Sequence, residues 1–277
     1  MGFDDLTTRA GRRRELPGGS ALYFSLAAHR LCEVLVAAAI GPDGGPLLEI
    51  LEAAQVNVSA VAELPGATYR WRAEHHPAEG VPVAEEQQLG VYLDWRPQLP
   101  ALARDSEILF LGSMHPRCQL EILAQCPRAE LVALDTMRDF IASDRDELGQ
   151  LLVRADMLFA NEAELMALLP SPSEEAVENA RNVLSRWHLR TVILKLGPGG
   201  QVAVTRDTLR EFPAAPGLPV VDPTGAGDAL AGGLLGRLAQ LRRTDDDAVD
   251  LAMADGAAAA RAAISAFGVQ GLLDGSP

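Results

Sequence analysis

The chain has 277 residues, enough for one large α/β domain with a sizeable core, and its 48% hydrophobic content is that of an ordinary globular protein. A formal net charge of −14 opposes general binding to nucleic acid or to anionic membranes, because phosphate surfaces need a basic face. No apolar run reaches the roughly 20 residues that span a bilayer, and the opening stretch MGFDDLTTRAGRRRELPGG lacks the apolar core of a secretion signal, so a cytoplasmic enzyme is expected.

In chain order, residues 20–32 (SALYFSLAAHRLC) predict a helix with Ser20 as its cap. Residues 33–40 form a short apolar run closed by GPDGG, the pattern of a buried strand and a turn. Residues 46–55 predict a helix with proline at its start. From 57 to 98 the chain turns polar, with alternating stretches such as TYRWRAEHH and LGVYLDW. That predicts an antiparallel excursion with one wet face.

Beyond residue 100 strands and helices alternate. Strands are predicted at 107–112, 130–135, 156–160 and 191–197, and helices at 116–126, 145–155, 161–169 and 173–187. QVAVT (201–205) and LREF (209–212) read as a hairpin, PVVD (219–222) as a short strand, and two helices, 227–241 and 246–267, close the chain. The alternation implies a mostly parallel sheet covered by helices on both faces, in one domain with 57–98 as an excursion from it.

Single residue types say less. Cys32, Cys118 and Cys126 are odd in number without CxxC spacing, and read as buried free thiols. The five histidines make no ligand pattern, and the pair His75–His76 reads as surface. Lys195 is the only lysine beside 23 arginines, which is either a compositional bias or a position that needs a compact ammonium.

The densest motif is VVDPTGAGDALAGG (220–233), a glycine turn feeding a long apolar helix. Gly225 and Gly227 let the backbone approach a ligand closely, and the first N–H groups of a helix have no internal partner. With the positive end of the helix dipole, the turn is suited to hold an anion. Asp228, in the first helical turn, puts a proton acceptor beside that anion, which is what phosphorylation of a hydroxyl needs. No GxxxxGK[ST] loop occurs in the chain, so this is a different phosphate-binding device.

DPTGAGDALAGG resembles the C-terminal signature of the PfkB (ribokinase-like) carbohydrate kinase family. PGGSALYFSLAAHRL (17–31) is similar to the family's di-glycine motif, NEAE (161–164) to its N-x-x-E motif, and LKLGPGG (194–200) to its glycine turn beside the nucleotide. The resemblance covers nearly the whole chain. It implies a three-layer α-β-α sandwich with a mostly parallel central sheet and a small β lid at about 57–98. It also implies an ATP-dependent kinase acting on a sugar, a nucleoside or a related polyol.

Carried over, the resemblance makes Asp228 the catalytic base, with Gly225, Ala226, Gly227 and the N–H of Asp228 as the anion hole. Asn161 and Glu164 organise Mg²⁺, although the same pair also reads as a helix capping box. Thr224, Lys195, Gly197, Gly200, Phe267 and Gly268 fall on the nucleotide side, where Asp222, Thr224 and the 262–271 loop hold a monovalent cation such as K⁺ in the family. Asp4 or Asp5, with Gly18, Gly19 and Ser20, face the sugar, and Ser20 stands where many members have asparagine. Asp135 lies at a strand end, and DTMR (135–138) is a loose version of the family's Asp-x-Asn-x-Arg. Arg70, Trp71 and Arg72 either reach the site or pack within the lid. A small-molecule substrate and a homodimer formed through the lid are the implied partners.

Family members begin with an apolar strand that leads into the Gly-plus-Asp segment, whereas here only Met1 precedes Gly2. Without that strand Asp4 and Asp5 are expected to be loosely held. Two other functions therefore stay open: a catalytically impaired nucleotide-binding or regulatory protein on the same scaffold, and a kinase of a vitamin-like alcohol.

Overall fold

The computed structural model describes residues 1–75, 84–215, 217 and 219–275. The chain opens with β1 (Gly2–Thr8), β2 (Gly11–Gly18), α1 (Ser20–Ala28), β3 (Leu35–Ile40), α2 (Gly45–Ala53) and β4 (Asn57–Glu63). Then come β5 (Tyr69–Glu74), β6 (Ala84–Gln88), α3 (Ala101–Arg104), β7 (Ile108–Leu111), α4 (Pro116–Gln125) and β8 (Leu131–Asp135). Next are α5 (Arg138–Ser143), α6 (Arg145–Leu152), β9 (Met157–Asn161), α7 (Glu162–Leu168), α8 (Ala176–Trp187) and β10 (Thr191–Lys195). The chain ends with β11 (Gln201–Thr205), β12 (Leu209–Phe212), α9 (Ala226–Leu241), α10 (Asp246–Ile264) and α11 (Gln270–Asp274). Two compact units emerge, Met1–Pro97 with Pro216–Pro277, and Gln98–Ala215. No helix among the described residues is long and apolar enough to cross a membrane.

In the first unit a four-stranded sheet runs in the order β2-β1-β5-β6. β1 is antiparallel to β2 and parallel to β5, while β5 and β6 are antiparallel. β3 and β4 form a separate parallel pair, because α2 between them returns the chain in the same direction. The antiparallel reading of 57–98 thus holds for β5 and β6 alone. GFDDLTT carries too little apolar pattern to announce a strand, yet β1 is laddered on both edges and buries Leu6 completely. Asp4, expected to be loose, is 2% exposed.

The core of this unit joins Leu22 and Leu26 of α1, Val36 and Ile40 of β3, and Leu47 and Leu51 of α2. The small residues of α9 allow close helix packing: a side chain at Gly233 would meet the backbone of Asp255 and Gly256 in α10. The predicted strand at 219–222 does not form. Pro219 and Pro223 remove ladder donors there, and Val221 instead donates its N–H to Ile264 O at 2.9 Å and accepts the Thr8 hydroxyl at 2.8 Å.

The second unit is a six-stranded sheet in the order β12-β11-β10-β9-β8-β7. β7 to β10 are parallel, and β10, β11 and β12 follow one another antiparallel, with the predicted hairpin at β11–β12. Leu134, Phe159 and Ile193 in the central strands are fully buried, as a sheet covered on both faces requires. Asp135, Asn161 and Lys195 end the three central strands, so all three lie on the carboxyl edge where open parallel sheets bind ligands.

Candidate active site

In the first unit the N-terminal turns of α1 and α9 come together. Gly19 caps α1 at φ 86°, so Ser20 is the first helical residue and not the cap the sequence suggested. Its hydroxyl is thereby free to donate a hydrogen bond to Asp228 Oδ1 in the first turn of α9. Gly225 caps α9 in the left-handed region, at φ 72°, and a side chain there would strike the ring of Tyr23. The turn is therefore restricted to glycine by both its dihedral and the aromatic ring packed against it. The Ala226 N–H folds back to Pro223 O at 3.4 Å, so within the Gly225–Asp228 turn that donor is already used.

Asp222 is fully buried and braces the turn: it accepts the Thr224 N–H and the Gly268 N–H, each at 3.0 Å. Gly268 sits at φ 58°, and the ring of neighbouring Phe267 lies 5.0 Å beneath the Arg13 guanidinium. Thr224 Oγ1 lies 3.2 Å from His75 Nε2. His75 is thus not a surface residue, while its sequence neighbour His76 lies outside the described residues.

Strand alternation separates the two candidate acids of β1. Asp5 points away from α9; it accepts the Glu15 N–H at 3.0 Å and faces Arg72 at 3.8 Å. Asp4 points inward, where a side chain on Gly18 would strike its carboxylate. Burial, then the nearby Asp222 charge, push the Asp4 carboxyl up to about 8. An acid whose folded value lies above its unfolded one takes up a proton on folding, so stability falls as pH rises between those values. Asp4→Asn should therefore be more stable than the wild type at pH 8, by on the order of a few kcal/mol, and lose that advantage at pH 4. Thermal melts of both proteins at the two pH values check this; a gap that does not change with pH refutes it.

Tyr23 is 1% exposed, and its hydroxyl has no hydrogen-bond partner among the described residues. Burial, reinforced by Asp4, Asp222 and Asp228, holds its phenol well above the usual value. Arg70 is paired with Glu15 and Asp43, Arg72 with Glu86, and Trp71 meets His75 edge-on, so these three side chains serve the four-stranded sheet.

In the second unit the carboxyl edge gathers a charged cluster. Lys195 Nζ donates to both oxygens of Asp135 at 3.2 Å and lies 3.9 Å from Glu164 Oε2. Burial pushes both carboxyls up, and Lys195 opposes that shift. Asn161 and Glu164 form a complete capping box: the Asn161 N–H donates to Glu164 Oε2 at 2.8 Å, and the Glu164 N–H to Asn161 Oδ1 at 2.9 Å. Among the described residues no three His, Cys, Asp or Glu side chains converge on one ion position. Asn161 and Glu164 present oxygen donors, the type that hard ions such as Mg²⁺ take. Gly197 at φ 54° and Gly200 at φ 95° shape the turn from β10 to β11, where a side chain on Gly200 would strike the Phe212 carbonyl.

The structure thus groups Asp4, Gly18, Gly19, Ser20, Thr224, Gly225 to Asp228 and Gly268 in one unit. Asn161, Glu164, Lys195, Gly197 and Gly200 share the other. Asp5 is on the opposite face of β1 from Asp4. Sequence reasoning missed Tyr23, seen only as a helix residue, and His75, whose bond to Thr224 spans 149 positions.

The chain matches the model of the pfkB family carbohydrate kinases over residues 85–274. It is 31% identical over 242 residues to the cytidine kinase of Thermococcus kodakarensis, covering 85% of this chain and 84% of that protein. A putative ribokinase II from E. coli, solved with ATP and Mg²⁺, matches with a TM-score of 0.78 at 18% identity, over 98% of this chain and 94% of the other. A nucleoside kinase from Burkholderia thailandensis, solved with inosine, matches with a TM-score of 0.76 at 20% identity, over 97% and 90%. These structural likenesses bear out the α/β, ribokinase-like fold.

Proposed function

Because the chain belongs to the pfkB family of carbohydrate kinases and is thus a small-molecule kinase, we propose that it moves the γ-phosphoryl group of ATP to a hydroxyl of a nucleoside or a sugar. The observation that carries this reading is Asp228, held by the Ser20 hydroxyl in the first turn of α9 and preceded by the left-handed Gly225. In this scheme Asp228 accepts the proton of the attacking hydroxyl. The oxygen–phosphorus bond forms as the bond to the bridging oxygen breaks, and ADP leaves. The α9 dipole and the turn's N–H groups receive the charge that builds on the transferred group.

On the acceptor side, Asp4 with Gly18, Gly19 and Ser20 grips substrate hydroxyls, since a buried carboxyl that keeps its proton at neutral pH can donate to one hydroxyl and accept from another. Asp5 carries no such role in this proposal. Asn161 and Glu164 would hold Mg²⁺ through water, and the ion would neutralise phosphate charge. Lys195, Gly197 and Gly200 form the nucleotide edge of the second unit, and Thr224, Phe267 and Gly268 that of the first. Each Asp222 oxygen accepts one backbone N–H and keeps a further lone pair, so a K⁺ ion beside Thr224 would draw on these and on main-chain oxygens. We also propose that the protein forms a homodimer through its four-stranded sheet. One face of that sheet carries Phe3, Asp5, Arg70, Arg72 and Gln88 around a shallow groove.

The test is ADP release from ATP and Mg²⁺ across nucleosides, pentoses, hexoses and inositols. Acceptor-dependent release with one class is expected. ATP binding without acceptor-dependent release from any of them would sink the kinase reading in favour of a nucleotide-binding protein.

A further inference from the structure

The scheme above leaves His75 without a task. It follows β5 directly; its N–H donates to Thr7 O at 2.9 Å, and its ring meets Trp71 edge-on with centroids 6.1 Å apart. The ring is thus fixed by the sheet before it touches anything else. Its Nε2 reaches Thr224 Oγ1 at 3.2 Å, while its Nδ1 is buried with no partner among the described residues. A half-buried imidazole that leaves one nitrogen unsatisfied is costly, so its one side-chain hydrogen bond has to be worth keeping. Burial also holds its pKa below the ordinary value, which favours the neutral ring. Either tautomer of a neutral ring can bond a hydroxyl, which both donates and accepts.

Thr224 is a sensitive place for such a bond. Its N–H is held by Asp222, and Gly225 follows at its left-handed dihedral. The same sheet also reaches this segment through Thr8, whose hydroxyl holds Val221 O. The stretch from Val221 to Asp228 is therefore tied to other segments through Thr8 and Ile264 at Val221, Gly268 at Asp222, His75 at Thr224 and Ser20 at Asp228. A glycine-containing turn without regular ladder bonds keeps its shape through such ties.

We propose that His75 is a positioning residue: through the Thr224 hydroxyl it locks the 222–228 turn in the conformation that presents its backbone donors, without touching nucleotide or acceptor itself. The proposal deepens the phosphoryl-transfer reading and rests on it for its functional consequence.

The experiment uses the full chain as His75→Ala, His75→Gln, Thr224→Val and the double variant His75→Ala/Thr224→Val. Hydrogen–deuterium exchange of peptides covering 221–233 is followed without nucleotide, beside steady-state kinetics at saturating ATP with the acceptor varied. His75→Ala and Thr224→Val should each speed exchange of the turn about tenfold, the worth of one hydrogen bond. The double variant should be no faster than either single one, since both remove the same bond. His75→Gln, whose amide reaches about as far as Nε2, should restore most of the protection. In turnover, kcat should fall with exchange while KM for the acceptor stays within about twofold. Unchanged exchange in His75→Ala, or effects that add in the double variant, would overturn the proposal. If the wild type releases no ADP with any acceptor, the kinase reading falls, and the exchange data still decide whether His75 holds the turn.

Discussion

An Asp228→Asn variant is expected to bind ATP as the wild type does and to lose phosphoryl transfer by about 10³-fold. The substitution is nearly isosteric, so the first turn of α9 keeps its shape, and the amide oxygen can still accept the Ser20 hydroxyl. What disappears is the capacity to take a proton. A primary or secondary hydroxyl is a poor nucleophile until its proton has somewhere to go, and an amide oxygen does not provide that at neutral pH. The nucleotide should bind at least as well, because a negative charge next to its terminal phosphate has been removed. Titration calorimetry with ATP and single-turnover quench with the best acceptor separate the two effects. Ser20→Ala provides the contrast: it frees Asp228 from one donor but leaves the carboxylate, so a loss nearer tenfold is expected. Full turnover in Asp228→Asn would remove Asp228 from the role assigned to it.

How far the sequence revealed this site depended on how local each feature is. The turn at 223–227 was legible because a dense glycine cluster before an apolar helix admits few structures, and Gly225 needs the dihedral only glycine takes easily. The carboxyl edge of the second unit was equally legible, since apolar strands announce where Asp135, Asn161 and Lys195 must end. β1 and β2 were not. GFDDLTT and GRRRELPG are polar segments that become strands by pairing with each other and with β5, and pairing partners leave no mark in a single window. The choice between Asp4 and Asp5 needed that same pairing, because only the strand's facing decides which acid is buried. His75 and Tyr23 were beyond reach for a similar reason: their partners are distant in sequence, and neither histidine nor tyrosine carries a spacing that points to them. The PVVD segment failed in the opposite sense. Its composition favours a strand, but the prolines on either side leave it to be fixed by Ile264 and Thr8 instead.

The second large effect lies at the only lysine. Lys195→Met should destabilise the protein by about 3–5 kcal/mol, the cost of leaving buried carboxylates without their cation. The side chains of Asp135 and Glu164 are 6% and 9% exposed, and Lys195 faces both. Methionine fills the aliphatic volume, so the loss measures charge and not a cavity. Lys195→Arg tests whether shape counts as well as sign: the bond to Asp135 uses both carboxylate oxygens on one compact ammonium, and a longer planar fork has to displace Asp135 or Glu164 to fit. Only partial recovery is therefore expected from arginine. Pairing Lys195→Met with Asp135→Asn should restore more, because it removes one of the two stranded charges while keeping an acceptor for the Thr136 N–H, now held at 2.8 Å. Urea denaturation of the three variants gives the order directly: methionine least stable, arginine and the double variant in between, wild type highest. If Lys195→Met unfolds at the wild-type midpoint, the cluster is solvated well enough to do without its cation, and Lys195 is then one of many charged residues in the chain and not the keystone of this edge.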